Sequence, residues 1–132
     1  MTTILAIDPG SVCSAWIIVR DCRPVEWDIT TNKVLVTWLS VDKPPFSLAE
    51  HLAIETLFVR GMPTAQDELE TQLWAGRIIQ AFRRTHTQVR RMDVKIHVCG
   101  SAKAKDSNIR AALIDRFGGK EKAIGDKRQP GP

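Results

Sequence analysis

Two acidic residues each end a short apolar segment of this 132-residue chain, a placement that suits metal chemistry. Asp8 follows the apolar residues 3–7 and precedes a Pro-Gly turn, and Glu55 follows residues 52–54 in the same way. If these segments are neighbouring strands, both carboxylates lie at one edge of a sheet, where they can hold a hard divalent cation. The simpler alternatives are a turn aspartate bonded to its own backbone and a surface glutamate at a strand end.

The composition predicts one globular domain. Apolar residues make up 43% of the chain, enough for a hydrophobic core. The N-terminus lacks the basic start of a signal peptide, and no segment approaches the roughly 18 apolar residues of a membrane span. We therefore expect a cytoplasmic protein without a membrane partner. The three cysteines show no Cys-x-x-Cys spacing, which argues against a disulfide framework or a zinc ribbon.

Charge is divided unevenly along the chain. Residues 1–59 contain four basic and seven acidic residues, whereas residues 60–132 contain fifteen basic and eight acidic residues. The first part therefore carries −3 and the second +7. This asymmetry suits a protein that binds a polyanion and holds cations close to it. Solvated helix faces with a basic tail would give the same count.

The first half of the chain reads mainly as strands. Apolar and β-branched residues predict strands at 3–7, 14–20, 25–30 and 51–56. Residues 31–41 are ambiguous, since their β-branched residues favour a strand. A helix is the preferred interpretation, because it places Leu35, Trp38 and Leu39 on one face.

The second half alternates helices and a strand. A long helix is predicted after Pro63, capped by Thr64. Its apolar face is expected to contain Leu69, Leu73, Gly76, Ile79 and Phe82. Residues 94–99 alternate as a strand, and residues 107–117 form a helix capped by Asp106 or Ser107. Residues 120–132 show no periodicity. The resulting order predicts an α/β fold with a mixed sheet.

Three segments together resemble the RuvC-type Holliday junction resolvases. Ile4-Leu5-Ala6-Ile7-Asp8-Pro9-Gly10-Ser11 is similar to that family's opening strand. Leu52-Ala53-Ile54-Glu55-Thr56-Leu57-Phe58 resembles its second catalytic segment, and residues 101–118 resemble the basic helix region of phage-encoded members. Asp-Pro-Gly alone is a weak motif, but the ordered set spans residues 4 to 118.

The resemblance implies a fold, an activity and partners. The fold would be RNase H-like, with a β-β-β-α-β-α-β-α order, in a nuclease domain at residues 1–118 followed by a basic tail at 119–132. The activity would be endonucleolytic cleavage of branched DNA (Holliday junctions) by a homodimer with two Mg²⁺ or Mn²⁺ ions.

The resemblance also assigns candidate site residues. Asp8 and Glu55 match the first two metal-binding acids, and Lys105 matches a basic residue near the scissile phosphate. Phe58 matches an aromatic wedge at the junction crossover, with core packing as its equal alternative. The other predicted phosphate-binding residues are basic: Arg77, Arg83, Arg84, Arg90, Arg91, Lys103 and Arg110.

One departure from the family pattern leaves the catalytic prediction open. The family carries further acids on a final helix that packs beside the first acid, and the sequence here stops near the expected start of that helix. Asp106 and Asp126 lack the right context to replace them. The chain is therefore expected to be either a shortened form or a non-catalytic module that binds branched DNA. An actin-like or sugar-kinase ATPase is disfavoured, because it needs two such lobes.

Overall fold

The computed structural model describes residues 2–57, 64–125 and 129–132. The described residues fall into two compact units, which divide between Val89 and Arg90. The elements of the first unit are β1 (Thr3–Asp8), β2 (Cys13–Arg20), β3 (Arg23–Thr31), α1 (Asn32–Ser40), a short 3₁₀ helix (Phe46–Leu48), β4 (His51–Glu55), α2 (Gln66–Phe82) and β5 (Thr85–Val89). Those of the second unit are α3 (Arg91–Cys99), α4 (Asp106–Arg116) and α5 (Lys120–Ile124).

The first unit is built on a five-stranded mixed sheet in the order β3-β2-β1-β4-β5. The first three strands form an antiparallel meander, and β4 and β5 run parallel to β1. The connections that return the chain to parallel strands contain α1 and α2, as parallel pairing requires. The α/β fold predicted from the sequence is therefore confirmed, and residues 32–40 are a helix as preferred.

Alternation along the strands separates a buried sheet face from a partly exposed one. Leu5, Ile7, Leu52 and Ile54 are at most 4% exposed and belong to one core cluster. The same cluster contains residues of α1 and α2, including Leu35 and Ile78. Because strand side chains alternate between faces, the intervening residues of β1 and β4 lie on the other face.

The apolar face predicted for α2 is wrong from Leu69 to Gly76. Leu69 and Leu73 are 52% and 55% exposed, and Gly76 is exposed as well. The buried residues of the helix are Ala75, Ile78, Ala81 and Phe82. The core side of the helix therefore combines two alanines with Ile78 and Phe82, whereas Leu69 and Leu73 project outward.

The strand predicted at residues 94–99 is also wrong, since this segment belongs to α3. Val94 and Val98, four residues apart, are half-buried, whereas Ile96 between them is 49% exposed. That pattern fits one turn of a helix rather than a strand. The fifth strand is instead Thr85–Val89, an edge strand whose mostly exposed side chains gave no apolar signal.

The helix starts differ from the predicted caps by one or two residues. Ala65 rather than Thr64 precedes α2, and the backbone N–H of Ala65 donates a hydrogen bond to the Glu68 carboxylate at 3.1 Å. Lys105 rather than Asp106 or Ser107 precedes α4, and the backbone N–H of Lys105 donates a hydrogen bond to Asn108 Oδ1 at 2.9 Å. Part of the predicted tail forms α5. In the described part of the chain, no helix is long and apolar enough to cross a membrane.

Candidate functional site

Asp8 and Glu55 end neighbouring parallel strands. The register pairs Ile7 with Ile54, so continuing it by one residue places Asp8 beside Glu55. Strands in a sheet lie about 4.8 Å apart, and paired residues of parallel strands project to the same face. The two carboxylates therefore leave the sheet together, at the carboxyl ends of β1 and β4.

Their surroundings suit a hydrated cation. Asp8 is exposed and Glu55 is half-buried, and both lie on the partly exposed face of the sheet. Carboxylate oxygens are the ligands that Mg²⁺ and Mn²⁺ prefer, and Mg²⁺ usually keeps several waters beside one or two carboxylates. The donor set thus fits such an ion. Within residues 2–57, 64–125 and 129–132, no third Asp, Glu, His or Cys joins the pair in a metal-binding cluster.

Ser14 and Asn32 hold the turn between Asp8 and β2. The Asn32 side chain donates from Nδ2 to the Gly10 carbonyl oxygen at 2.8 Å, and its Oδ1 accepts from the Ser14 hydroxyl at 2.5 Å. The Ser14 oxygen also accepts a long hydrogen bond, 3.4 Å, from the Gly10 N–H. The Asn32 backbone N–H donates to the Val12 carbonyl oxygen at 2.8 Å.

The chain that leaves Glu55 is held by its neighbours as well. The Thr56 N–H donates to the Val89 carbonyl oxygen at 3.0 Å, which extends the pairing of β4 with β5. The Gln72 amide of α2 then binds both backbone groups of Leu57, accepting from its N–H at 3.1 Å and donating to its carbonyl at 3.2 Å. Each acid is therefore followed by backbone that a helix residue binds.

Sequence reasoning missed Ser14, Asn32 and Gln72. Each acts through a contact with residues distant in the chain, and none lies in the three segments that resemble the RuvC-type resolvases. Asn32 gave one local signal, since asparagine is a favoured residue where a helix begins.

The arginines predicted to bind phosphate in the first unit differ in their availability. Arg77 is exposed and lies over the Trp74 ring at 4.6 Å. Arg83 is exposed and donates to the Ser40 carbonyl at 3.1 Å. Arg84 is the most engaged: it pairs with Asp42 at 3.0 Å and donates to the Phe46 carbonyl at 3.0 Å. These contacts anchor the 40–46 loop and leave Arg84 fewer donors for phosphate.

The remaining basic candidates belong to the second unit. Lys103 and Lys105 precede α4 and Arg110 lies within it, and all three are exposed. Arg90 forms a two-bond ion pair with Asp93, and Arg91 lies 3.5 Å from Asp106. Phe58, the predicted wedge, lies outside the described residues.

Comparison with solved structures identifies the fold. The structure of Thermus thermophilus RuvC matches with a TM-score of 0.66 and 14% identity, over 91% of this chain and 82% of that one. T. thermophilus RuvC in complex with a Holliday junction substrate matches with a TM-score of 0.71 and 17% identity, over 92% and 82%. No protein-family model and no curated protein sequence matches. The RuvC-like, RNase H-like fold predicted from the sequence is thereby confirmed.

Proposed function

We propose that this chain is a divalent-metal-dependent endonuclease that cleaves branched DNA, with Holliday junctions as its substrate class. The observation that supports this most directly is the pairing of Asp8 and Glu55 at adjacent parallel strand ends of a RuvC-like sheet. A fold alone does not determine function, so the proposal depends on this acidic pair.

Asp8 and Glu55 would hold the cation, with water filling the other coordination positions. A bound Mg²⁺ or Mn²⁺ supplies activation of water and stabilisation of negative charge on a phosphate. The protein's own part is to present the two carboxylates at a fixed separation and to leave room for a phosphate on their exposed side. Lys105 would offset the charge that develops on the phosphate during hydrolysis.

Basic side chains would bind the phosphates of the DNA backbone. The net charge of +7 over residues 60–132 and the exposure of Lys103, Arg110, Arg77 and Arg83 support this role. Contacts of this kind orient a protein on DNA without reading its sequence. Selection for a branch would come from the shape of the junction and, as the resemblance implies, from Phe58.

The decisive experiment is cleavage of a synthetic four-way junction in the presence of Mg²⁺, Mn²⁺ or EDTA. We expect cuts that require a metal ion and disappear in Asp8→Asn and Glu55→Gln, while linear duplex DNA of the same sequence stays intact. Both variants should still bind the junction, because the phosphate contacts lie elsewhere. Cleavage by Asp8→Asn at the wild-type rate would contradict the proposal.

A second candidate function is binding of branched DNA without cleavage. The observation that favours it is that no third acid joins Asp8 and Glu55 within residues 2–57, 64–125 and 129–132, since fewer charged ligands give weaker cation binding. Junction binding by the wild-type chain, together with uncut DNA at every metal concentration, would select this function over the nuclease.

We also propose that the chain acts as a homodimer and that α2 supplies the contact. Leu69, Leu73 and Gly76 form an exposed stripe on the side of α2 opposite its buried residues. A methyl group added to Gly76 would meet no atom within 4 Å, so a second helix has room to approach closely. Antiparallel pairing of two α2 helices would bury the stripe of each against that of the other.

A further inference from the structure

The turn that follows Asp8 is held by two buried polar side chains that the proposed chemistry leaves without a role. Ser14 lies on β2 and Asn32 begins α1, and each is 1% exposed. Burying a hydroxyl and an amide costs free energy unless both are hydrogen-bonded. These groups satisfy each other and the Gly10 backbone, so the cluster is complete.

The turn has little freedom to adopt another shape. A Cβ atom on Gly10 would lie 2.3 Å from the Cys13 carbonyl oxygen, a distance at which one of the two groups must shift. Asn32 binds the carbonyl oxygens of Gly10 and Val12, and Ser14 binds the Gly10 N–H. Backbone groups two and four residues after Asp8 are therefore fixed from one side.

The Asp8 carboxylate depends on this backbone for its direction. In the described part of the chain, the structure gives its side chain no hydrogen bond or ion pair, and the residue is exposed. A carboxylate without such partners takes its position from the strand before it and the turn after it. The strand is fixed by pairing with β2 and β4, and the turn is fixed by Ser14 and Asn32.

We infer that Ser14 and Asn32 are positioning residues that hold the Asp8 turn in the shape needed to share a divalent cation with Glu55. This inference rests on the proposed function, because it assumes that Asp8 and Glu55 bind the metal ion. Groups around a metal site that orient its ligands typically change metal affinity by about 10–100-fold when mutated. Since Ser14 and Asn32 act through backbone, we expect an effect near the lower end, about tenfold.

The test measures the Mn²⁺ dissociation constant from the free-ion signal in electron paramagnetic resonance, without DNA and without activity. The variants are Ser14→Ala and Asn32→Leu, which remove the polar groups without adding charge. Thr30→Val is the matched control, because Thr30 lies opposite Ser14 on β3 and is also buried, but its hydroxyl accepts a 2.9 Å hydrogen bond from Trp16 Nε1 rather than from a group of the Asp8 turn. Melting temperatures of all variants show how much stability each substitution removes.

We expect Ser14→Ala and Asn32→Leu to weaken Mn²⁺ binding about tenfold, and Thr30→Val to keep the wild-type affinity at a similar loss of stability. Ser14→Thr retains the hydroxyl and should retain the affinity. If Ser14→Ala, Asn32→Leu and Thr30→Val all weaken Mn²⁺ binding in proportion to the stability that each variant loses, the positioning role is overturned. Wild-type Mn²⁺ affinity in Ser14→Ala and Asn32→Leu also overturns the positioning role. If Asp8→Asn nevertheless loses Mn²⁺ binding, the proposed function is unaffected by that result. Equal Mn²⁺ affinity in wild type and Asp8→Asn overturns the metal site itself.

Discussion

Asp8 and Glu55 carry like charges on adjacent strands, and the repulsion between them disfavours the folded state, which a bound cation would offset. Two unit charges about 5 Å apart repel by ~1 kcal/mol in water and ~3 kcal/mol at an effective dielectric constant of 20. The exposure of Asp8 favours the lower end of that range. A binding site of this kind therefore stores a small electrostatic cost in the metal-free chain.

Asp8→Asn is expected to raise the melting temperature of the metal-free chain slightly and to reduce its stabilisation by Mn²⁺. The first effect follows from removing one of two like charges, and the second from losing a ligand whose binding favours the folded state by mass action. The measurement is a Mn²⁺ titration followed by thermal unfolding. Glu26→Gln, at an exposed acid on β3, is the control and should respond to Mn²⁺ like the wild type. Identical responses of Asp8→Asn and the wild type would make Asp8 a turn residue.

Phe58→Ala separates a junction wedge from a core residue. If Phe58 is a wedge, the variant should keep the wild-type melting temperature and lose cleavage or opening of four-way DNA. If the side chain packs in a core, the substitution should cost ~3–5 kcal/mol of stability. Thermal unfolding and junction cleavage are measured on the same preparation. An unchanged melting temperature with full cleavage would exclude both roles.

At the scale of elements, the sheet brings the two acids together and the helices hold the backbone that follows them. Parallel pairing of β1 with β4 sets their register, α1 binds the turn after Asp8, and α2 binds the chain after Glu55. Helices thus serve the site through Asn32 and Gln72 rather than through ligands of their own.

Helix α3 begins at an ion pair that should make the second unit sensitive to acid. The two hydrogen bonds from the Arg90 side chain hold the pKa of Asp93 below its ordinary value. A lowered pKa stabilises the fold above the unfolded value, about 3.9, and this contribution is lost as the pH falls through the folded pKa. Wild type should therefore be more stable than Asp93→Asn at neutral pH, and the difference should vanish in acid. A difference in unfolding free energy that does not change with pH would contradict this.

Leu73→Glu is expected to convert the proposed dimer into a monomer while leaving the fold intact. Leu73 is 55% exposed at the centre of the α2 stripe, so a charge there costs little in one chain and opposes pairing of two. Sedimentation equilibrium measures the mass, and Ile29→Glu on β3, at a residue that is 70% exposed, is the control. A dimer that persists in Leu73→Glu, or is lost equally in the control, would place the contact elsewhere.

Most of the elements that the sequence predicted have a burial pattern that differs between faces. Such patterns occur in β1, β2, α1, β4 and α2, and so the paired acids could be placed at one sheet edge. Thr85–Val89 is an edge strand with mostly exposed side chains, and the alternation of residues 94–99 imitates a strand within a helix. Ser14 and Asn32 were beyond prediction because their bond joins residues 18 positions apart.

On the scale of the whole molecule, acidic and basic residues are concentrated in different parts of the chain, as binding of both metal ions and DNA would require. The part that contains both acids carries −3, and residues 60–132 carry +7. In the proposed function, the negative charge would attract metal ions to the sheet edge, and the basic residues would offset repulsion between the acids and DNA. Association with DNA would then depend on released counterions more than on base contacts.

Junction affinity should therefore fall steeply with salt, with a slope of log K against log salt of about −0.9 per neutralised phosphate. Arg110→Ala removes an exposed charge at α4 and should reduce the magnitude of that slope by about 0.9 if Arg110 binds one phosphate. Lys33 is an exposed basic residue of α1 within the acidic part of the chain, and Lys33→Ala is the matched control that should leave the slope unchanged. The measurement is fluorescence anisotropy of a labelled four-way junction at several salt concentrations, with EDTA to prevent cleavage. Because the slope counts phosphates and the intercept reflects all other contacts, a variant that weakens binding without changing the slope has lost a different interaction. A junction affinity that does not change with salt concentration would show that the basic residues are solvated surface residues. The junction, if bound, would then be recognised through contacts other than those with phosphates.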